Sequence, residues 1–215
     1  LHCPELMLDP ERRSALVERA RALGSSTIRC SRAAFEKVAY REGPDGFLAV
    51  VPVAGAALDD LVLPPDPLVL VCEGLEKPGN LGAVLRTADA AGVAAVVAAD
   101  PATDWGNPNV VRASKGTVFS VPVASGSTEE VLQCLADNGI RLVATTPDTD
   151  LLHTDADYRG AVAVAVGTEK HGLTPTALAA AATRVRIPMA GRVNSLNAAT
   201  AAAVVVYEAV RQRSL

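Results

Sequence analysis

From residue 67 onward, apolar runs alternate with stretches of helical periodicity. Pro67–Cys72 (PLVLVC) is a continuous apolar run, the pattern of a strand buried on both faces. Val93–Ala99, Thr117–Val123, Ile140–Thr145, Ala161–Gly167 and Arg184–Pro188 read as further strands. Between them, Leu81–Ala91 places Leu81, Val84, Leu85 and Ala88 on one helical face, with Asn80 as the expected cap and Gly92 as the stop. Ser127 caps a helix carrying Glu129 and Glu130 in its first turn, and Asn138-Gly139 ends it. Thr174-Pro175 opens a helix through Ala182, and Asn194–Arg213 reads as a long final helix. Repeated β-α units predict an α/β fold with a parallel sheet and helices on both faces.

Before residue 67 the pattern is weaker. Glu11–Leu23 and Arg32–Val38 look helical, with short strands at Ser25–Cys30 and Phe47–Val53, as in a small α+β domain. Gly55, Pro64 and Pro65 punctuate the stretch between Val53 and Pro67. The chain therefore divides into an N-terminal piece (1–54), a linker (55–66) and a main domain (67–215). It opens on Leu1 rather than Met, and the first piece reads as an incomplete domain.

Charge sharpens this division. The formal net charge of -4 averages a slightly basic, arginine-rich first 50 residues and an acidic remainder. A uniformly basic nucleic-acid binder is excluded, but a local basic patch is not. Aromatics make up only 3%, which disfavours a surface built on base stacking. The 49% apolar content excludes global disorder. The most apolar tail stretch, Val193–Tyr207, is shorter than a membrane span and carries Asn194, Ser195, Asn197 and Thr200. Cys3, Cys30, Cys72 and Cys134, and the three histidines, are too scattered for a zinc site or a disulfide framework. Residues 1–20 hold no signal-peptide pattern, so the compartment reads as cytoplasmic.

The turn after the first strand, Glu73-Gly74-Leu75-Glu76-Lys77-Pro78-Gly79-Asn80-Leu81-Gly82, lacks G-x-G-x-x-G, and Glu73 and Glu76 suit a pyrophosphate poorly. Neither a Walker A sequence nor a G-x-S-x-G elbow occurs. Three other segments lie where open α/β sheets bind ligands, at strand C-termini. In Pro78–Ala88, Asn80 and Arg86 can serve one site near a helix start, or be simply a cap and a solvated cation. In Val166–Leu173 (VGTEKHGL), Gly167 allows close approach to a backbone and Glu169 offers an acceptor. The alternative is an ordinary strand-to-helix turn. In Ile187–Ala199 (IPMAGRVNSLNAA), Ser195 and Asn197 open a helix of Ala and Val, where either Asn194 or Ser195 can be a plain cap.

Together, in this order, the three loops resemble the signature motifs of the SpoU (TrmH) family of RNA 2′-O-ribose methyltransferases, over residues 67 to the end. The N-terminal piece resembles part of the ribosomal-RNA-binding domain that often precedes this one, with Gly46–Val50 as its closing strand. The resemblance implies S-adenosylmethionine as methyl donor, a C-terminal trefoil knot, a homodimer and no metal. By position it implies that Thr145, Thr146, Gly167, Ile187 and Leu196 contact the cofactor. Arg86 is then the catalytic arginine, supported by Asn80, Glu169, Ser195 and Asn197. Arg86 and Arg112, with arginines of the N-terminal piece, would meet RNA, and ribosomal RNA is the expected substrate. A tRNA methyltransferase, an inactive RNA-binding relative and a nucleotide-dependent oxidoreductase are the rivals. The missing glycine fingerprint opposes the last.

Overall fold

The computed structural model describes residues 1–7, 9–40 and 42–214, without the side chains of Pro10, Arg12 and Arg13. The chain forms two compact units, Leu1–Pro52 and Val53–Leu215. Of the N-terminal arginines, Arg41 and the side chains of Arg12 and Arg13 lie outside the described residues.

The first unit holds helices α1 (Pro10–Ala22) and α2 (Arg32–Val38), with Cys3, Val17 and Phe35 buried. Ser31 caps α2 by accepting from the Ala34 N–H. The two strands expected here reduce to single bridges: His2 pairs with Arg29 on one side and Phe47 on the other. Val50, Val51 and Val53 are exposed, so the apolar pattern at 47–53 has no sheet to bury it.

The second unit is a six-stranded sheet in the order β3-β2-β1-β5-β4-β6, parallel throughout. Its strands are β1 (Leu68–Glu73), β2 (Ala95–Ala99), β3 (Val123–Gly126), β4 (Arg141–Thr145), β5 (Val162–Val166) and β6 (Thr183–Val185). The helices are α3 (Pro78–Ala91), α4 (Pro108–Ser114), α5 (Thr128–Asp137), α6 (Pro175–Ala180) and α7 (Ala198–Arg213). β1 and β5 are neighbours at the centre, and every residue of both is buried. Alternate residues feed two cores. Leu68, Leu70, Val96, Val162, Val164 and Val166 meet α3, α4 and α7. Val69, Val71, Val97, Ala163 and Ala165 meet α5 and α6. Leu58, Leu61 and Leu63, in the stretch read as a linker, pack on this second core, and Ala56 bridges Ala124.

Several elements differ from the sequence expectation. The run Thr117–Val123 is no strand: Thr117–Phe119 is a 3-10 turn, and β3 starts at Val123. Pro122 has no N–H for a ladder and contributes only its carbonyl, which accepts from the Val96 N–H (2.9 Å), so the strand proper begins after it. The additional helix α4 starts where Asn107 caps it, accepting from the Asn109 N–H, with Pro108 at its first position. Asn80 is not a cap. Pro78 starts α3 early, after Lys77, which leaves Asn80 in the first turn with its side chain free for other contacts. α7 begins at Ala198, capped by Asn197 and by neither Asn194 nor Ser195.

Two polar devices fasten the helices. Glu73, the buried last residue of β1, accepts from the Thr128 hydroxyl (2.8 Å), the Thr174 hydroxyl (2.7 Å) and the Thr174 N–H (2.7 Å). It thereby ties the starts of α5 and α6 to the central strand. At the other end of the sheet, Arg213 of α7 donates to the carbonyls of Asp66 (2.9 Å), Pro67 (3.3 Å), Tyr158 (2.9 Å) and Gly160. Gln212 adds bonds to Ala156 O and the Tyr158 N–H.

Arg213→Ala removes the donor from the Asp66, Tyr158 and Gly160 carbonyls, while Pro67 O keeps the Val162 N–H. It is expected to lower unfolding free energy in urea by about 2–3 kcal/mol, with Arg213→Lys intermediate because an ammonium lacks the planar fork. The Arg211 guanidinium, helped by Gln212 and His153, holds the Glu208 carboxyl down to about 2. A folded value below the unfolded one stabilises fully above the ordinary carboxylate range. That increment is lost as pH falls toward 2. Acid titrations of Glu208→Gln should lack this part of the wild-type stability loss.

Candidate active site

The loops after β1 and β5 meet because those strands are adjacent while their onward connections run to opposite sides of the sheet, the arrangement that opens a crevice at strand C-termini. The loop after β5 folds back on itself. Thr168 and Gly172 exchange backbone hydrogen bonds (3.0 and 2.9 Å), and the Thr168 hydroxyl accepts from the His171 N–H. A side chain at Gly167 would collide with the Gly172 and Leu173 backbone, so its glycine serves the loop's own closure. Gly172 takes a φ of +68°, which glycine adopts without strain.

Glu169 projects from this loop. Its Oε2 accepts from Lys77 Nζ at 2.7 Å. Its Oε1 accepts from Asn80 Nδ2 at 3.1 Å and from Asn197 Nδ2 at 2.6 Å. Asn197 Nδ2 also lies 3.0 Å from Asn80 Oδ1, while Asn197 Oδ1 caps α7 by accepting from the Ala199 and Thr200 N–H groups. The Lys77 hydrogen bond, followed by that of Asn80, holds the Glu169 carboxyl below the usual carboxylate range; the Lys77 ammonium is raised in turn. Three residues expected at the site, Asn80, Glu169 and Asn197, thus form one network. Lys77 joins it without having been expected there. Its partner lies 92 positions away, so no local signal marks it.

Beside this network is a cavity of about 420 Å³. All five residues expected to hold the cofactor line it: Thr145, Thr146, Gly167, Ile187 and Leu196. Glu169 and Ser195 line it as well, and Leu178, Val185 and Ala201 supply an apolar wall. Thr145 donates its hydroxyl to Ala165 O (2.8 Å), and Thr146 accepts from the Asp148 N–H (3.2 Å).

Arg86 stands outside both features. It is exposed on α3 and, among the described residues, its guanidinium has no hydrogen-bond or ion-pair partner. Arg112 is exposed on α4. The two helices are held close at Gly82, where a Cβ would overlap Ala113 and come within 2.7 Å of the Ser114 nitrogen. Only glycine allows this approach. The four cysteines are free thiols, and burial raises that of Cys72 to about 12. Among the described residues no His/Cys/Asp/Glu group could hold a metal, and no helix is long and apolar enough to cross a membrane.

The parallel sheet and the loops at its strand C-termini form an α/β domain with a cavity of small-molecule size. Residues 67–207 match the model of the SpoU rRNA Methylase family, and the chain belongs to that family. It is 32% identical over 226 residues to the 23S rRNA (guanosine-2′-O-)-methyltransferase RlmB of Shewanella oneidensis, covering 99% of this chain and 92% of the relative. It is 36% identical over 178 residues to a 23S rRNA (uridine(2479)-2′-O)-methyltransferase of Streptomyces viridochromogenes, covering 80% of this chain and 62% of the relative. Among solved structures it is similar to the SpoU methyltransferase AviRb of S. viridochromogenes in complex with AdoMet. That similarity has a TM-score of 0.83 and 30% identity, over 98% of this chain and 81% of the other.

Asn197→Asp tests the network. The variant keeps the capping acceptor but sets a second carboxylate against Glu169. Like charges raise the folded-state proton affinity of such a pair, which destabilises at neutral pH and is relieved on protonation. Thermal melts should place the variant below wild type at about pH 7, with the gap narrowing toward about pH 4.

Proposed function

We propose that this chain is an S-adenosylmethionine-dependent RNA 2′-O-ribose methyltransferase acting on 23S ribosomal RNA. The observation that carries this reading is the convergence of the loops after β4, β5 and β6 on one cavity, with Lys77 and Asn80 from the start of α3 bonded to Glu169 and Asn197 at its edge. The cavity suits the donor. Its volume is in the range for a small-molecule site. Its aliphatic wall matches a purine, and its hydroxyls and backbone groups match polar edges.

When bound, S-adenosylmethionine supplies a methyl group on a good sulfonium leaving group. A ribose 2′-hydroxyl is a weak nucleophile, so the chain must align it and help remove its proton. Arginine stays protonated under ordinary conditions. Arg86 is therefore assigned the holding of the ribose and its phosphate, and the hydroxyl proton leaves to bulk water as the methyl is transferred. Asn80, Glu169, Ser195 and Asn197 form the polar set that fixes the loops around the reacting groups. The two curated relatives are named for different bases, guanosine and uridine, which fits a site built around the ribose.

The same reading includes a homodimer, a trefoil knot and a cytoplasmic setting. The unpartnered, exposed Arg86 supports an active site completed at a subunit interface, and exposed Phe119, Val193 and Tyr207 offer apolar surface for it. The path of the chain supports the knot: from β6 at the sheet edge it returns to place α7 against α3 and central β5. Arg112 and the N-terminal unit would extend the RNA contact.

Incubation with labelled S-adenosylmethionine and separated large-subunit, small-subunit and transfer RNA should label the large-subunit RNA; labelling of none of the three overturns the reading. Arg86→Ala should abolish transfer while calorimetric affinity for S-adenosylmethionine stays within about twofold, since Arg86 lies outside the cavity. Retained turnover would sink the assignment of Arg86.

A further inference from the structure

Lys115 occupies a backbone conformation that disfavours it. It ends α4 at φ +53° and ψ +32°, the left-handed region where an L side chain crowds its own carbonyl and where glycine is the usual choice. Gly116 follows at φ +93°, so a glycine was available to the turn one position later. The conformation is fixed from both sides. The wholly buried Ser114 donates to Val111 O (2.9 Å) and accepts from the Gly116 N–H (3.3 Å). Thr117 donates to Ser114 O (2.9 Å), and the Lys115 N–H bonds Arg112 O (3.2 Å). Lys115 cannot relax without undoing this turn.

Among the described residues, no side-chain bond offsets the strain. The Lys115 side chain is exposed and, among the described residues, has no hydrogen-bond or ion-pair partner. The helix dipole favours a cation at this end, but Arg112 already stands in the last turn. The turn places Lys115 three residues after Arg112, at the end of α4. Arg112 and Lys115 bracket Ala113-Ser114, the pair pressed against Gly82, and Arg86 lies one turn along α3 from Gly82. The nearby carboxylate on α3, Asp89, is engaged by the Ser120 hydroxyl (3.1 Å).

We propose that Lys115 is a phosphate contact for the RNA substrate, set in place by the strained end of α4 so that Arg86, Arg112 and Lys115 present one cationic track across α3 and α4. The proposal rests on the RNA methyltransferase reading above, and adds a binding residue outside the three loops. Strain at a charged, unpartnered residue is the mark of a position held for binding.

The test is the salt dependence of binding to unmodified large-subunit ribosomal RNA, for wild type, Lys115→Gly and Lys115→Arg, with melting temperature measured in parallel. Lys115→Gly suits the left-handed turn, so it should melt no lower than wild type. Losing one phosphate contact should reduce the slope of log affinity against log salt by about 0.7–0.9, which is roughly sixfold weaker binding at about 0.1 M salt relative to 1 M. Lys115→Arg should keep the wild-type slope. A Lys115→Gly protein with unchanged slope and affinity overturns the proposal, as does one that melts lower with RNA binding intact. Failure of the wild type to bind any RNA instead overturns the functional reading beneath it.

Discussion

One carboxylate organises the functional end of the domain. Glu169 stands on the loop after β5, yet its partners come from the start of α3 (Lys77, Asn80) and the cap of α7 (Asn197). Each of those groups has little reason to be ordered alone. An exposed ion pair such as Lys77–Glu169 contributes little by itself. Joined to two amides, one of which also starts a helix, it becomes the point through which three distant segments hold a common geometry. The cavity wall from Gly167 to Leu196 depends on that agreement.

The opposite face of the sheet is organised on the same plan by a different acid. Glu73 is buried, and its acceptors are filled by Thr128 and Thr174 from the helices packed there. A carboxylate at the end of a central strand could belong to a ligand site. Here its hydrogen bonds are taken up by helix starts, which assigns it to the scaffold. The chain thus uses Glu73, with Asp100 sharing the Thr128 hydroxyl, for the frame and Glu169 for the site.

Much of this is legible in the sequence, and the failures have physical causes. The continuous apolar runs of β1 and β5 read directly as strands because both faces are covered. The Ser127–Glu130 capping box and the left-handed Gly92 mark helix ends. The five residues placed on the cofactor by resemblance do line one cavity. The run at 117–123 misleads because its alternation is strand-like while Pro122 lacks the N–H that a ladder needs. Asn80 misleads because Pro78 begins the helix early, and a side chain freed from capping is indistinguishable in sequence from one that caps. Val50, Val51 and Val53 carry strand propensity, but among the described residues no strand pairs with them. Lys77 is invisible because its partner is brought to it only by the fold. Gly82 reads as an ordinary helical glycine until Ala113 is seen against it.

The double duty of Asn197 divides the site into two kinds of residue. Asn197 cannot lose its side-chain oxygen without disturbing the first turn of α7, nor can Gly167 take a side chain without reopening its loop. These positions tie chemistry to architecture and resist change. The exposed side chain of Lys115 at the end of α4 carries no such constraint, since the domain's core is complete without it. A lineage built on this chain can therefore explore new RNA partners by altering such a surface cation, while the methyl-donor end is inherited intact.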